Sequence, residues 1–542
     1  MAKSSETTGN DSRDTGEPRN TAGSRDGAAA GAGQSAAGSA ADAALEARLN
    51  RRPWHMFATP LIGKAVRVAS RLTHHGGSAF PGKVVERIDP GFLRRTLGRL
   101  PLGVVLVSGT NGKTTTTRMV ATMLEELGLK VFTNPTGSNF TRGVVSSVLE
   151  QCSLAGHVDA DIAVLELDEA YAVHFVKQAK PRYALLLNVM RDQLDRFGEI
   201  DNTARLLAHV AAATTGTVVL NREDPRIAAL EADVHDGVDV KWFGLSDKLR
   251  PFFPSDDEMA TTVASQAAAA DRAAGETSVL ANSEEAGSAP ELVNDSSVDM
   301  VPADVTLLDV GDHRVTLDID GETETTAVRL EGVYNLFNAA AALTVVRAVQ
   351  HDVYDAAVVR KASGRLPRRR VAAFIERARK LAKATVADEL KALSTVTPAF
   401  GRGETIDVDG TPVELLLVKN PMGFRLSLAS FPPDGAETMI CINDEYADGR
   451  DMSWLWDVDF TSLRDTGVAA VSGVRAYDMK LRLEYDQVAV ARAGTELEDD
   501  VVMFVKSNPG VPKHIYCTYT AMLRARAALG RIASVSDAGV GK

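Results

Sequence analysis

The chain has 542 residues and a formal charge of −12 at pH 7, which excludes a broad nucleic-acid footprint, since that needs Lys and Arg in excess on one face. A hydrophobic fraction of 45% and a charged fraction of 24% are ordinary for a soluble globular protein, and at roughly 150 residues per domain the length implies about three domains. No apolar run approaches the roughly 20 residues of a membrane-spanning helix. Cys152, Cys441 and Cys517 form no C-x-x-C pair, so neither a disulfide framework nor a cysteine zinc site is expected, and a reducing cytoplasm fits.

Residues 1–50 are built mainly from Ala, Gly, Ser, Thr, Asp and Arg and predict a disordered tail without a secretory h-region. Residues 51–100 predict a small helical segment broken at "HHGGSAFPGK", where Gly76, Gly77, Pro81 and Gly82 punctuate the chain. Residues 101–350 alternate short apolar strands (Val104–Val107, Val131–Phe132, Ile162–Leu167, Tyr183–Val189, Val218–Leu220) with helical runs such as Thr115–Leu127, the pattern of a mainly parallel sheet with crossover helices. An Ala-, Ser- and acid-rich stretch at about 246–303 reads as a solvated insertion. Strands joined by Gly- and Asp-containing turns follow in "VTLLDVGDHRVTLDIDGETETTAVRL", then a helix in "NLFNAAAALTVVRAV". The basic helical stretch at about 365–395 reads as a solvated helix face. A second α/β domain is expected over 351–542, beginning between His351 and Pro398 and carrying the strands "VELLLVKN" and "ETMICIND".

The run "VVLVSGTNGKTTTTRM", Val104 to Met119, has the strand, tight turn and helix order of a phosphate-binding loop. In such a loop backbone N–H groups and a helix N-terminus surround an anion, a Lys neutralises phosphate charge and a hydroxyl ligates magnesium. Gly109 and Gly112 permit close backbone approach, Thr110, Asn111 and Thr115 complete the loop, Lys113 is the cation and Thr114 the metal-ligand candidate. Only Thr110 and Asn111 separate the two glycines, a shorter loop than G-x-x-x-x-G-K-[ST]. "IAVLELDEA" places Glu166 at the C-terminal end of a strand, where its carboxylate can hold the same magnesium; Asp168 and Glu169 lie just beyond.

Four ordered motifs, "SGTNGKTTTT", "AVLELDEA", "LNREDP" and "GVYNLFNAAAA", resemble those of the Mur ligase family, ATP-dependent amide-bond-forming enzymes of peptidoglycan synthesis and their folate-pathway relatives. The resemblance implies ATP and Mg2+ as cofactors, Lys113 and Thr114 on the phosphates and metal, Glu166 on magnesium, and Asn335 and Asn338 on the nucleotide side, with Asp224 in the same surroundings. "NVMRDQLDRFGEID", "LVKNPMGF", "NDEYADGRDMSWLWDVDF" and "VSGVRAYDMKLRLEY" are similar to the MurT branch. Gln193 stands where many amino-acid-adding members have a metal-associated His, and "TARLLAHV" holds no Lys for carbamylation; both suit ammonia as nucleophile.

That branch implies amidation of the α-carboxylate of D-glutamate in lipid II to D-isoglutamine through an acyl phosphate. The ammonia would come from a GatD-type glutamine amidotransferase subunit. It further implies an Asp that completes the partner's Cys-His pair. By motif position this is Asp451, with Asp448 as fallback and Asn443 and Asp444 facing the nucleotide; the residues alone favour Asp451 as a cap of the helix or turn around Ser453, and only the resemblance points to the triad. Of Trp454 and Trp456 at least one is expected in the core. His74 and His75 read as loop and Cys517 as packed core. Relatives often carry a four-cysteine zinc ribbon where this chain has its cysteine-free insertion, so no structural zinc is expected; the basic helical stretch has no family counterpart. The alternatives are a free-standing Mur or folylpolyglutamate-type amino-acid ligase and a nucleotide-dependent scaffold.

Overall fold

The computed structural model describes residues 43–72, 80–134, 140–190, 200–250, 253, 301–311, 313–330, 333–397, 402–445 and 448–535. The chain forms two compact units, Met1–Arg51 and Arg52–Lys542. In the first, the described residues 43–50 are helical, where the tail was expected to continue. The physical reason is local: Ala, Leu, Glu and Arg in "ALEARL" are strong helix formers, unlike the Gly and Ser before them. The rest of the expected tail lies outside the described residues.

The second unit opens with α1 (Thr59–Leu72), α2 (Phe80–Ile88) and α3 (Phe92–Leu97), the expected helical segment; its break, with His74 and His75, lies outside the described residues. A sheet follows whose elements, in chain order, are β1 (Gly103–Ser108), α4 (Lys113–Glu126), β2 (Val131–Thr133), α5 (Thr141–Gln151), β3 (Ile162–Glu166), α6 (Glu169–Gln178), β4 (Tyr183–Leu186), α7 (Ile200–Ala213), β5 (Thr217–Asn221), the short α8 (Pro225–Ala228) and β6 (Asp239–Leu245). After them come β7 (Val305–Gly311), β8 (Arg314–Ile319), β9 (Glu322–Ala327) and α9 (Val333–Asp352). The strand order is β2-β3-β1-β4-β5-β6-β7-β8-β9, parallel up to β7 and antiparallel beyond.

β1 lies inside this sheet and is buried along its whole length. Val104 and Leu106 enter the core shared with α5, α6 and α7, while Val105 and Val107 enter the core shared with α4 and α9. Two buried faces explain why the strand reads as a continuous apolar run instead of an alternation. α2 crosses α5 so closely that a Cβ on Gly82 would lie 2.1 Å from the Arg142 carbonyl oxygen.

Residues 351–397, taken from the sequence as opening the C-terminal domain, pack on the central one instead. α10 (Ala356–Arg365), α11 (Arg368–Ala382) and α12 (Val386–Ser394) send Val358, Phe374, Leu381 and Leu393 into the same core as Met119 and Leu343. The basic stretch is also not simply solvated. The Arg377 guanidinium grips the buried Asp161 carboxylate with two bonds of 2.7 Å, and Asp161 accepts in turn from the Lys130 backbone N–H at 2.9 Å. A charge run shows its sign but not which of its members meets a buried counter-charge.

The C-terminal domain is a second sheet, ordered β10 (Arg402–Val408), β11 (Thr411–Leu417), β14 (Lys513–Cys517), β12 (Glu437–Cys441), β13 (Ala470–Ser472). Only the β10–β11 hairpin is antiparallel, and its Asp409-Gly410 turn takes positive φ at both residues (53° and 82°), as a tight primed turn requires. α13 (Pro421–Ser430), α14 (Ala476–Tyr485), α15 (Leu497–Lys506) and α16 (Tyr519–Leu529) cover the sheet. Among the described residues no helix is long and apolar enough to cross a membrane.

Candidate functional site

The loop after β1 turns on Gly109 (φ 131°) and Gly112 (φ 86°), conformations L side chains rarely adopt. There is no room for a side chain either: a Cβ on Gly109 would meet the Asn188 backbone at 3.0 Å, and one on Gly112 would lie 2.6 Å from Asn338 Oδ1. Gly112 is the N-cap of α4, so the loop's N–H groups open at a helix N-terminus.

Lys113 is buried. Its ammonium donates to the carbonyls of Gly109 (2.6 Å) and Thr110 (3.2 Å) and stands 3.3 Å from Asp168 and 3.8 Å from Glu169. The Thr114 hydroxyl donates to Glu166 Oε1 at 2.9 Å. Strand β3 pairs with β1 in parallel register, Val107 opposite Glu166, which carries the carboxylate to the loop. Asn134, at the end of β2, fixes Glu166 by accepting from its N–H and donating to its carbonyl, both at 3.0 Å. Thr115 is buried on α4 beyond the loop.

Asn188, just past β4, locks the other side of the loop. It accepts from Asn111 N–H at 2.8 Å and donates to Asn111 O at 3.1 Å and to the Tyr334 hydroxyl at 3.0 Å. Asn338, on α9, is buried, and its Nδ2 lacks a hydrogen-bond partner among the described residues; Asn335 lies one turn earlier on the same cleft. Asp224 has a different role. It caps α8 through the N–H groups of Arg226 and Ile227 and accepts from Val189 N–H at 2.7 Å, and burial holds its carboxyl above the usual range.

Two residues without an expected role come from the C-terminal domain. Asn420 and Asn111 exchange amide hydrogen bonds (2.9 and 3.3 Å), and the Lys419 ammonium donates to Thr110 O at 3.1 Å. Asn420 also caps α13 by accepting from Gly423 N–H at 2.8 Å. The visible signal was an Asn directly before Pro421, an N-cap pattern, but nothing local could show that the capped helix faces the phosphate loop. Between the two domains Asn111, Gly112, Tyr334, Asn335, Asn338 and Lys419 line an open cleft.

The loop after β12 separates the two candidate acids. Asp448 is buried and accepts from the N–H and hydroxyl of Thr520 at the start of α16 and from Glu445 N–H; burial raises its pKa. Asp451 is exposed and accepts from Ser453 N–H at 2.9 Å, and Ser453 holds its carboxyl below the usual range. It borders a cleft with Arg450, Trp456, Arg475, Asp478 and Leu481. Asn443 is buried and tied to Thr518, Thr520 and Val474, whereas Asp444 pairs with Arg475 at 2.8 Å. Trp454 packs against Phe424 and Trp456 stands half exposed. Cys517 is buried opposite Cys441 in the β12–β14 pair, and burial pushes its thiol pKa up, so it is packed core. Gln193 and the region that would carry a zinc ribbon lie outside the described residues.

This geometry has counterparts. The Mur ligase middle domain matches residues 107–264 and the MurT ligase C-terminal domain matches residues 417–522. The MurT subunit of lipid II isoglutaminyl synthase (glutamine-hydrolyzing) from Streptococcus pneumoniae is 27% identical over 465 residues, 85% of this chain and 93% of that protein. Its Staphylococcus aureus counterpart is 26% identical over 439 residues, 79% and 87% of the two chains. Among solved structures, MurF ligase from Thermotoga maritima in complex with ADP has the same fold, with a TM-score of 0.52 at 16% identity over 81% of this chain and 82% of that one. A short phosphate loop on a mostly parallel sheet, joined to a second sheet domain, therefore defines a Mur ligase, and the chain belongs to that family. Within it, the C-terminal match and the full-length relatives make it a MurT-type ligase.

Proposed function

We propose that the protein is the ATP-dependent ligase subunit that amidates the α-carboxylate of D-glutamate in lipid II, through an acyl phosphate, with ammonia from a glutamine amidotransferase partner. The observation that carries the ligase chemistry is the pair formed by Thr114 and Glu166, 2.9 Å apart beside the buried Lys113. Two adjacent hard oxygens fit magnesium, and the unpartnered amide of Asn338 at the cleft fits a polar ligand. When bound, ATP would supply the phosphoryl group that turns the carboxylate into an acyl phosphate, a mixed anhydride from which ammonia displaces phosphate, and magnesium would offset the charge.

The residues of this chain do the rest. Gly109, Thr110, Asn111, Gly112 and Thr115 shape the loop and its helix terminus, Lys113 brings positive charge to the phosphates, and Thr114 and Glu166 hold the metal. Asn335 and Asn338 line the nucleotide side. Lys419 and Asn420 join the C-terminal domain to the loop, so that the cleft closes around the reacting groups and keeps water from the activated carboxylate.

The chain contains no described Cys-His pair suited to releasing ammonia from glutamine, because the thiols of Cys152, Cys441 and Cys517 are all buried. Asp451 fits the acid that orients a partner's His, since it is exposed and charged, whereas Asp448 is consumed by Thr520 and Glu445. Beside it Trp456, Val474, Tyr477, Leu481 and Tyr485 are exposed, an apolar surface that a partner subunit can cover. Co-expression with a candidate amidotransferase tests the reading. Stable co-purification and glutaminase activity lost in Asp451→Asn, with nucleotide binding intact, are expected. Unchanged glutaminase in that variant would show that another residue supplies the acid; absence of pairing together with ATP turnover stimulated by an amino acid would favour the free-standing ligase.

A further inference from the structure

Residues 52–85 hold five basic residues (Arg52, Lys64, Arg67, Arg71 and Lys83) and no Asp or Glu, in a chain whose net charge is −12. Helix α1 lies within this tract and has a defined inner face. A Cβ on Gly63 would lie 2.5 Å from the Leu149 side chain, Pro60 packs near Gly156, and Arg67 reaches Glu150. At 3.6 residues per turn, Leu61, Ala65 and Val68 fall on the opposite side. Trp54 and Phe57 extend the same three- and four-residue spacing backwards through a turn whose bonds run from Met56 N–H to Pro53 O and from Ala58 N–H to His55 O. Trp54 is 90% exposed, Phe57 79%, and Leu61 and Val68 58% each.

A lone exposed Leu is ordinary, but a Trp and a Phe standing in water at the head of an apolar stripe are not. We propose that this stripe lies on the surface of an anionic phospholipid bilayer. Trp54, Phe57, Leu61 and Val68 enter the boundary between headgroups and acyl chains, and the exposed Arg52 meets lipid phosphates, while Lys64, which donates to the Glu150 carbonyl, and Arg67, paired with the Glu150 carboxylate, stay on the protein side of the stripe. A helix of 14 residues is too short to span, and an apolar face flanked by cations with Trp at one end is the composition of an interfacial helix. The charge selects this occupant: a second copy of the same face would set one basic tract against another, whereas negatively charged headgroups complement it. The inference adds to the amidation reading a place where a lipid-linked substrate is met, and its evidence is independent of that reading.

Co-sedimentation of the full-length chain with vesicles tests it. Binding is expected to phosphatidylcholine vesicles containing phosphatidylglycerol, weakened by high salt and absent with phosphatidylcholine alone. Trp54→Ser/Phe57→Ser/Leu61→Ser is expected to lower partitioning by at least about tenfold, and Arg52→Glu to lower it on anionic vesicles, while nucleotide binding and thermal stability stay unchanged. No partitioning of the wild type, or equal partitioning of the triple serine variant, overturns the proposal. So does a wild type that self-associates in size-exclusion chromatography while the serine variant does not, since the stripe is then an interface between copies. Amidation of detergent-solubilised lipid II with the partner present needs no vesicle and reports separately on the amidation reading.

Discussion

Lys113 and Glu166 belong to different elements and were both legible in the sequence, because Lys113 opens the helix after one apolar strand, Glu166 ends another, and strand ends on one edge of a parallel sheet converge. Lys113→Ala is expected to lower ATP-dependent turnover by about 100- to 1,000-fold with the fold retained, measured as ADP release. What the sequence could not show was the state of the neighbours. Asp448 and Asp451 stand close together in one loop, yet one is buried against Thr520 and the other exposed, a difference made by α16 from far along the chain. His514 is a similar case. It is buried beside Phe431 and Tyr516 with Nδ1 lacking a partner among the described residues, and desolvation lowers its pKa below the ordinary 6.5. Between the folded and unfolded values the unfolded chain binds a proton that the folded chain does not. The neutral His514 therefore contributes its full stability above 6.5 and loses it progressively as the pH falls from that value through the lower folded one. Urea midpoints measured on both sides of 6.5 are expected to differ less in His514→Phe than in the wild type; equal differences would mean that His514 does not contribute.

Strands β1, β3, β4 and β5 of the central sheet were legible as elements, because burial along their whole length makes them unbroken apolar runs. β6 was not anticipated, since Asp239 and Lys241 interrupt its apolar pattern at the exposed end. The helices after α9 were placed in the wrong domain for a related reason: amphipathic periodicity tells that a helix buries one face, not which core receives it. Arg377 makes that attachment testable. Removing it leaves the nearly buried Asp161 without its cation, and Arg377→Met is expected to cost roughly 2–3 kcal/mol in chemical denaturation. A cost near zero would mean that α11 is held by its apolar face alone. The loop before α13 carries a different load. Asn420→Ala removes an N-cap and the amide exchange with Asn111, with an expected loss of about 1–2 kcal/mol and weaker nucleotide binding by calorimetry. Loss of stability with unchanged nucleotide affinity would reduce Asn420 to a cap.

At the scale of the molecule, two α/β domains meet at the phosphate loop, while the exposed Asp451 lies on a separate cleft of the C-terminal domain, away from the residues that line the nucleotide cleft. That separation suits a division of labour in which one site activates a carboxylate and another serves a partner's chemistry. The order of motifs made the domain class readable from the sequence. The cleft itself was not readable, because Asn111 and Asn420, 309 residues apart, meet only in the folded chain. The most direct measurement supplies the reconstituted pair with ATP, lipid II and glutamine labelled with 15N in its side-chain amide, and follows the product by mass spectrometry alongside ADP. Label in the D-isoglutamine amide, with one ADP released for each amide formed, is the expected result. ADP release without label in the product, or release driven by a free amino acid in the absence of glutamine, would contradict the assignment.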